Sequence, residues 1–249
     1  MISKPYRRII RPFVLGDEIE YLPPGSGDSY ILDGDFAPDR VTVLRAYKTI
    51  ESDLLRLFEY IEPATANLST FSHRTFELLL RSCTEFESNC RSILRANGYK
   101  RAGNWTVKDY FNIERSGRLS DYVVQLSIWH EPGKAFQPFR EWSGGSSLTW
   151  YRDYNSVKHD RSNNFPLASF ENVLLAVCGL FVVMFSQFYV HSFVPHTSVG
   201  FFHQDDGWYS HQNMVFAIRP PQSWTAEECY SFNWQTLRKQ AQPFSEFAF

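Results

Sequence analysis

Paired cysteines are missing from this sequence. Cys83, Cys90, Cys178 and Cys229 are widely spaced and form no C-x-x-C, which argues against a zinc ribbon or a disulfide framework. With 249 residues the chain can build a core without such staples. An excess of one charge is missing too: 25 Lys and Arg face 27 Asp and Glu. That balance argues against a protein that coats nucleic acid through bulk charge, so any such contact needs a local patch. G-x-x-x-x-G-K-[ST], G-x-G-x-x-G and G-x-S-x-G are all absent, which leaves P-loop, dinucleotide and serine-hydrolase readings without support. Gly144-Gly145-Ser146-Ser147 has no following Lys and reads as a loop. There is no internal repeat and no low-complexity tract.

A bilayer-length apolar run is also lacking. Asn172 to Gln204 carries no charged residue, yet its uninterrupted apolar stretch, Val173 to Phe185, is 13 residues long. A span needs about 18–20. The expectation is a buried bundle helix; a membrane-associated helical protein is the rival. Lys4, Arg7, Arg8 and Arg11 near the N-terminus are followed by no apolar segment of the kind a secretory signal has, so a reduced, cytoplasmic protein is expected.

What is present is helical periodicity. Residues 38–62 place Leu44, Tyr47, Ile50, Leu54, Leu57, Phe58 and Ile61 at intervals of three and four, with Pro38 in the first turn and Pro63 as the stop. Residues 72–97 do the same with Phe76, Leu79, Leu80, Cys83, Phe86, Cys90, Ile93 and Leu94. Cys83 and Cys90 share that face as small apolar packers, and Gly98 stands where a left-handed cap is expected. The short linker predicts an antiparallel pair. A third long helix is expected over 167–191, capped near Asn163 or Asn164, with Pro166 in its first turn. Glu85 and Glu87 in the second helix read as exposed carboxylates, with one of them facing the cleft as the alternative.

Around this core, residues 1–37, interrupted by Pro5, Pro12, Pro23, Pro24 and Gly25–Gly27, read as an extended arm in which Ile19, Tyr21 and Tyr30–Leu32 add short strands or strap across the bundle. Residues 99–149 form a less regular insertion, with a short helix near 106–116 and a strand or helix at 122–128. Residues 200–249 form an aromatic-rich extension. Its hairpin is predicted from Phe201–Gln204 and Gln212–Ile218 flanking Asp205-Asp206-Gly207. Trp208, Tyr209, Phe216, Trp224, Tyr230, Phe232 and Trp234 must be buried, against the bundle or a partner subunit. His191, His196, His203 and His211 lie near Asp205 and Asp206, but their spacings match no metal motif, so no metal and no cofactor are expected. The fold class expected is mainly α.

The chemistry concentrates in Trp150-Tyr151-Arg152-Asp153-Tyr154-Asn155-Ser156-Val157-Lys158-His159-Asp160-Arg161. On a helix Arg152, Asn155 and His159 share a face. Arg grips phosphate with two prongs, His exchanges a proton near neutral pH, and Asn orients a hydroxyl or the imidazole. Together these suit phosphodiester cleavage. Seven residues rise about 10 Å along a helix, so Arg152 and His159 meet one phosphate only if the helix bends, Arg extends or a second subunit contributes.

The string resembles the signature of the HEPN superfamily: Arg, a polar residue, then His after four to six positions in all. Here these are Arg152, Asp153 and His159, at the long end of that spacing. Tyr154-Asn155-x-x-Lys158-His159-x-Arg161 is similar to the variant in bacterial HEPN proteins of unassigned function. The resemblance covers about residues 38–191 and includes the two long helices before the motif and the one after it. It implies an up-and-down helical bundle, with residues 38–199 as the HEPN-like unit. It also implies a homodimer whose two motifs face one RNA-cleaving cleft, and a metal-independent endoribonuclease of a toxin–antitoxin or anti-phage defence system with an antitoxin or regulatory partner. Arg152, His159 and Asn155 would be catalytic. Lys158, Arg161, Asp153 and Tyr154 would bind substrate or hold Arg152, and the products would be a 2′,3′-cyclic phosphate and a 5′-OH. Members of this family also serve as non-catalytic modules that bind nucleotide, RNA or protein, which is the other rival.

Overall fold

A computed structural model describes residues 1–21, 28–192, 202–210 and 215–249. Its helices follow the apolar periodicity. α1 (Arg40–Phe58) buries Leu44, Tyr47, Ile50, Leu54 and Leu57. It ends short of Ile61, because Glu62 precedes Pro63 and such a residue disfavours helical backbone. α2 (His73–Ala96) starts at a reciprocal cap: the Thr75 amide donates to Ser72 Oγ at 3.1 Å, and the Ser72 amide to Thr75 Oγ1 at 2.7 Å. Gly98, at φ +72°, closes it. Two one-turn helices, α3 (Val107–Tyr110) and α4 (Asn112–Gly117), replace the single short helix expected there. α5 (Thr149–His159) carries the motif, and the one-turn α6 (Arg161–Asn164) follows a break at Asp160. α7 (Phe170–Phe188) is the apolar helix, and α8 (Trp234–Leu237) is one turn of the tail. α7 starts later than expected. Its cap is Ser169, whose Oγ accepts from the Asn172 amide at 3.2 Å, while Pro166 sits in a preceding 3-10 turn.

Side-chain contacts give the helix directions. Arg81 on α2 pairs with Asp53 on α1 at 2.6 Å, each a turn or two from the linker that joins the end of α1 to the start of α2, so these two are antiparallel. The Phe170 amide donates to Thr70 O beside the start of α2, and Gln187 donates to Asn89 at 2.9 Å near the other end, so α2 and α7 run parallel. Trp150 packs against Gly179 and Asp153 accepts from Asn172 at 3.0 Å, so α5 is antiparallel to α7. Gly179 makes this approach close: a Cβ would stand 3.3 Å from both Phe139 and Trp150, which would have to yield by a few tenths of an ångström. α7 is the one helix among the described residues apolar and long enough to cross a bilayer, and it is almost wholly buried between its neighbours.

The strand alternative at 122–128 holds, and the fold has more sheet than that strand, the arm's short strands and the tail hairpin alone. Besides a short hairpin, β1 (Phe13–Leu15) with β2 (Glu18–Glu20), there are β3 (Val123–Leu126), β4 (Ala135–Phe136), β5 (Phe202–Gln204), β6 (Trp208–Ser210) and β7 (Phe216–Arg219). The last five form one antiparallel sheet in the order β4-β3-β7-β6-β5. The hairpin turn at Asp205–Gly207 is where it was predicted, but its second strand is β6, and β7 instead pairs Ile218 with both Val124 and Tyr209. Insertion and extension therefore form one sheet, which packs on α7 through Phe181 and Phe216, 5.0 Å between centroids.

The extended arm is not a free appendage. Ile9, Ile10 and Phe13 are buried, and the Ile10 amide donates to Ser186 O at 3.0 Å on α7. Arm and tail exchange backbone bonds, from Val14 to Tyr230 O and from Tyr230 to Pro12 O. Arg8 is buried in an ion pair with Asp39 and a 3.0 Å bond to Gln187, and Arg11 caps the carbonyls of Glu228 and Ser116. These N-terminal cations hold the structure together, because burial without such partners is costly. The aromatics Phe216, Trp224, Tyr230 and Trp234 are buried within the chain itself.

Candidate functional site

α5 divides its motif between two faces. Trp150, Tyr151, Tyr154 and Val157 are buried against α2 and α7. Arg152 and His159 are exposed and Asn155 half-buried, so the i, i+3, i+7 set looks out on solvent. Arg152 keeps 66 % of its side-chain surface and lies 3.8 Å from Asp153. Asp153 is held in turn by the buried Asn172, which donates to its other oxygen at 3.0 Å. Asn155 Nδ2 donates to Tyr151 O at 3.0 Å in its own helix. His159 is the last residue of α5. Arg161 lies beyond the break, with its guanidinium 5.4 Å from the Phe76 ring on α2.

Tyr154 departs from the substrate-contact role that the motif implied. It is 1 % exposed, and its hydroxyl donates to Glu87 Oε1 at 3.2 Å. The reason is the helix period: Tyr151 and Tyr154 are three apart on the face turned to α2. Tyr151 donates to the same Glu87 oxygen at 2.9 Å, and Arg91 reaches the other at 2.9 Å. Lys158 donates to the Tyr154 hydroxyl at 2.9 Å, with its ammonium 5.0 Å from that ring. Glu87 is therefore buried, contrary to the exposed position expected. The signal was in its spacing, since it lies four after Cys83 and three before Cys90, inside the apolar stripe.

The cluster stores charge under the motif. Burial, then Glu87, pushes the Tyr151 hydroxyl well up, and burial drives Tyr110 up to about 12, so both stay protonated donors. The hydrogen bond to Tyr154 raises Lys158, which stays a cation. Burial also raises Cys83 and Cys90 far above the ordinary thiol range, so neither is a nucleophile.

Removing Glu87 strands three donors. Glu87→Ala is expected to lower unfolding free energy in urea by about 2–3 kcal/mol, discounted because Arg91 is partly exposed and can turn to water. Glu87→Gln should lose about half of that. A loss below about 0.5 kcal/mol for the alanine variant would show that water already satisfies these groups.

Among the described residues no group of three His, Cys, Asp or Glu is placed to hold a metal. His196 and His211 of the histidine cluster lie outside the described residues. In comparisons with known proteins, the chain matches no family model, no curated protein and no solved structure.

Proposed function

We propose that this chain is a metal-independent endoribonuclease of HEPN type, acting as a homodimer. The observation that carries the proposal is the outward face of α5, which Arg152, Asn155 and His159 share while the buried half of the helix anchors it to α2 and α7. The alternating directions of α1, α2, α5 and α7 agree with the up-and-down bundle that the resemblance implies.

The reaction follows from the groups present. The 2′-oxygen attacks phosphorus and the 5′-oxygen leaves, giving a 2′,3′-cyclic phosphate and a 5′-OH. Arg152 holds the phosphate oxygens and stabilises the charge they gain, with Lys158 and Arg161 adding positive potential near the C-terminal end of α5. His159 passes a proton, from the 2′-OH or to the leaving oxygen. Asp153, fixed by Asn172, restrains the Arg152 guanidinium. A two-fold axis beside α5 would bring His159 of one copy to Arg152 of the other and remove the separation of about 10 Å along the helix.

The test is incubation of the purified chain with single-stranded RNA, with and without EDTA, followed by end-group analysis. Cleavage that EDTA leaves unchanged, with 2′,3′-cyclic phosphate ends, is expected. RNA that is bound but left intact would favour the non-catalytic binding module.

A further inference from the structure

The second half of α2 and the loop after it build a groove that the motif does not include. From Ser88 to Lys108 the chain carries Arg91, Arg95, Lys100, Arg101 and Lys108, and no Asp or Glu. Gly98, at φ +72°, reverses the chain at the end of α2, a conformation that side chains with a Cβ resist. The loop 99–105 therefore folds back beside Arg91 and Arg95. The buried Asp109 anchors it, accepting from the Tyr99 hydroxyl at 2.8 Å and the Thr106 amide at 2.7 Å and pairing with Arg101. Burial alone would raise the Asp109 carboxyl; the Thr106 amide, Tyr99 and Arg101 outweigh it and hold it below the ordinary carboxylate range. Its charge is thus spent inside the loop.

The outcome is an open groove of about 310 Å³ lined by Arg91, Arg95, Gly103, Asn104 and Trp105. Trp105 is fixed rather than loose. Its Nε1 donates to Arg101 O at 3.1 Å, Tyr99 meets it edge-on at 5.2 Å, and Arg95 lies 5.6 Å from its centroid. Gly103 presents no side chain and has open space where a Cβ would stand. Glu246 lies against Gly98 in the adjoining groove, which is formed with the C-terminal Phe247–Phe249. Arg91 also holds Glu87, so the groove is continuous with the cluster beneath α5.

We propose that this groove binds single-stranded RNA outside the cleavage motif, with one base on Trp105 and the flanking phosphates on Arg95 and Arg91. The proposal rests on the ribonuclease reading for the identity of the polymer. A fixed, half-buried ring with the Arg95 guanidinium over it and Arg91 nearby suits an unstacked base, which takes the place of Arg95 on the ring as that guanidinium turns to the phosphate, since every base has a π-face and each phosphate one charge. A duplex keeps its bases stacked and cannot offer one to the ring. Asn104 supplies an amide for a base edge.

The test uses a fluorescein-labelled 12-mer oligoribonucleotide, 2′-O-methylated throughout so that it cannot be cleaved, followed by fluorescence anisotropy. Trp105→Ala and Arg95→Glu should each weaken binding about tenfold, and Arg95→Glu should reduce the salt slope by about one. Trp105→Phe, which keeps a ring, should lose much less and guards against a folding defect. Arg74→Ala, at an exposed cation near the opposite end of α2, should bind as well as wild type. A duplex of the same sequence should compete poorly. Wild-type affinity in both Trp105→Ala and Arg95→Glu overturns the groove even if cleavage is intact. Competition by polyglutamate as strong as by RNA also overturns it, because the surface would then be a general cation sink. If the chain cleaves nothing, yet binding still falls in Trp105→Ala and Arg95→Glu, the reaction is wrong and the groove stands.

Discussion

Arg152→Ala and His159→Ala each abolish RNA cleavage while leaving thermal melting within a degree or so of wild type, if the proposed reaction holds. A positioned proton donor or acceptor is worth about 10²–10⁴-fold, and a guanidinium aimed at developing phosphate charge is worth about as much. Both side chains are exposed, with Arg152 keeping 66 % of its surface, so neither contributes much to stability. Asn155→Ala should cost less than either, because one end of its amide is already tied to Tyr151 O. A gel assay on a labelled RNA reads all three. Cleavage by His159→Ala at the wild-type rate would place the activity elsewhere or in a contaminant. An unfolded Arg152→Ala would show that the guanidinium supports α5 instead of substrate. If the site is composite, a mixture of the two inactive variants should recover part of the activity, since one mixed interface pairs an intact Arg152 with an intact His159.

The second large effect is on the core. Leu180 is fully buried at the middle of α7, a helix packed against α1, α2 and α5. Leu180→Asp removes an apolar side chain, worth about 2–3 kcal/mol, and buries a carboxylate with no partner, worth several more. Domains of this size hold only about 5–15 kcal/mol, so the variant should unfold or aggregate. Leu55→Asp is the control, because Leu55 on α1 is exposed and should accept the charge with little change. A soluble Leu180→Asp protein with a cooperative melt would show that this face of α7 is not core.

The two long helices were legible because their determinants are local. Apolar residues at three and four, Ser72 with Thr75, and Gly98 after the last turn all act within one helical turn of where they stand, so α2 differs from its expected span by a residue at each end. The shared face of Arg152, Asn155 and His159 was legible for the same reason, since one helix period sets it. The late start of α7 was not. Ser169 and the residues near Asn163 are both fair caps locally, and the backbone bond from Phe170 to Thr70 O favours the later one.

What tertiary structure alone decided is who faces whom across long separations. Nothing in residues 123–126 names 216–219 as their partner strand, because strand pairing depends on which faces the rest of the fold buries. The arm's burial against Tyr230 depends on contacts more than two hundred residues apart. Tyr154 and Glu87 show the same limit within the site. A tyrosine beside a motif and a glutamate on a helix look like surface chemistry until α2 and α5 are packed, and then each is the partner that makes the other's burial tolerable. Sequence by itself determined the two long helices α1 and α2 and the shared face of Arg152, Asn155 and His159 on α5, because a helix sets those within a few residues. The buried polar cluster, the five-stranded sheet and the groove at Trp105 required the folded chain, since each is made by segments that meet only when apolar faces are removed from water.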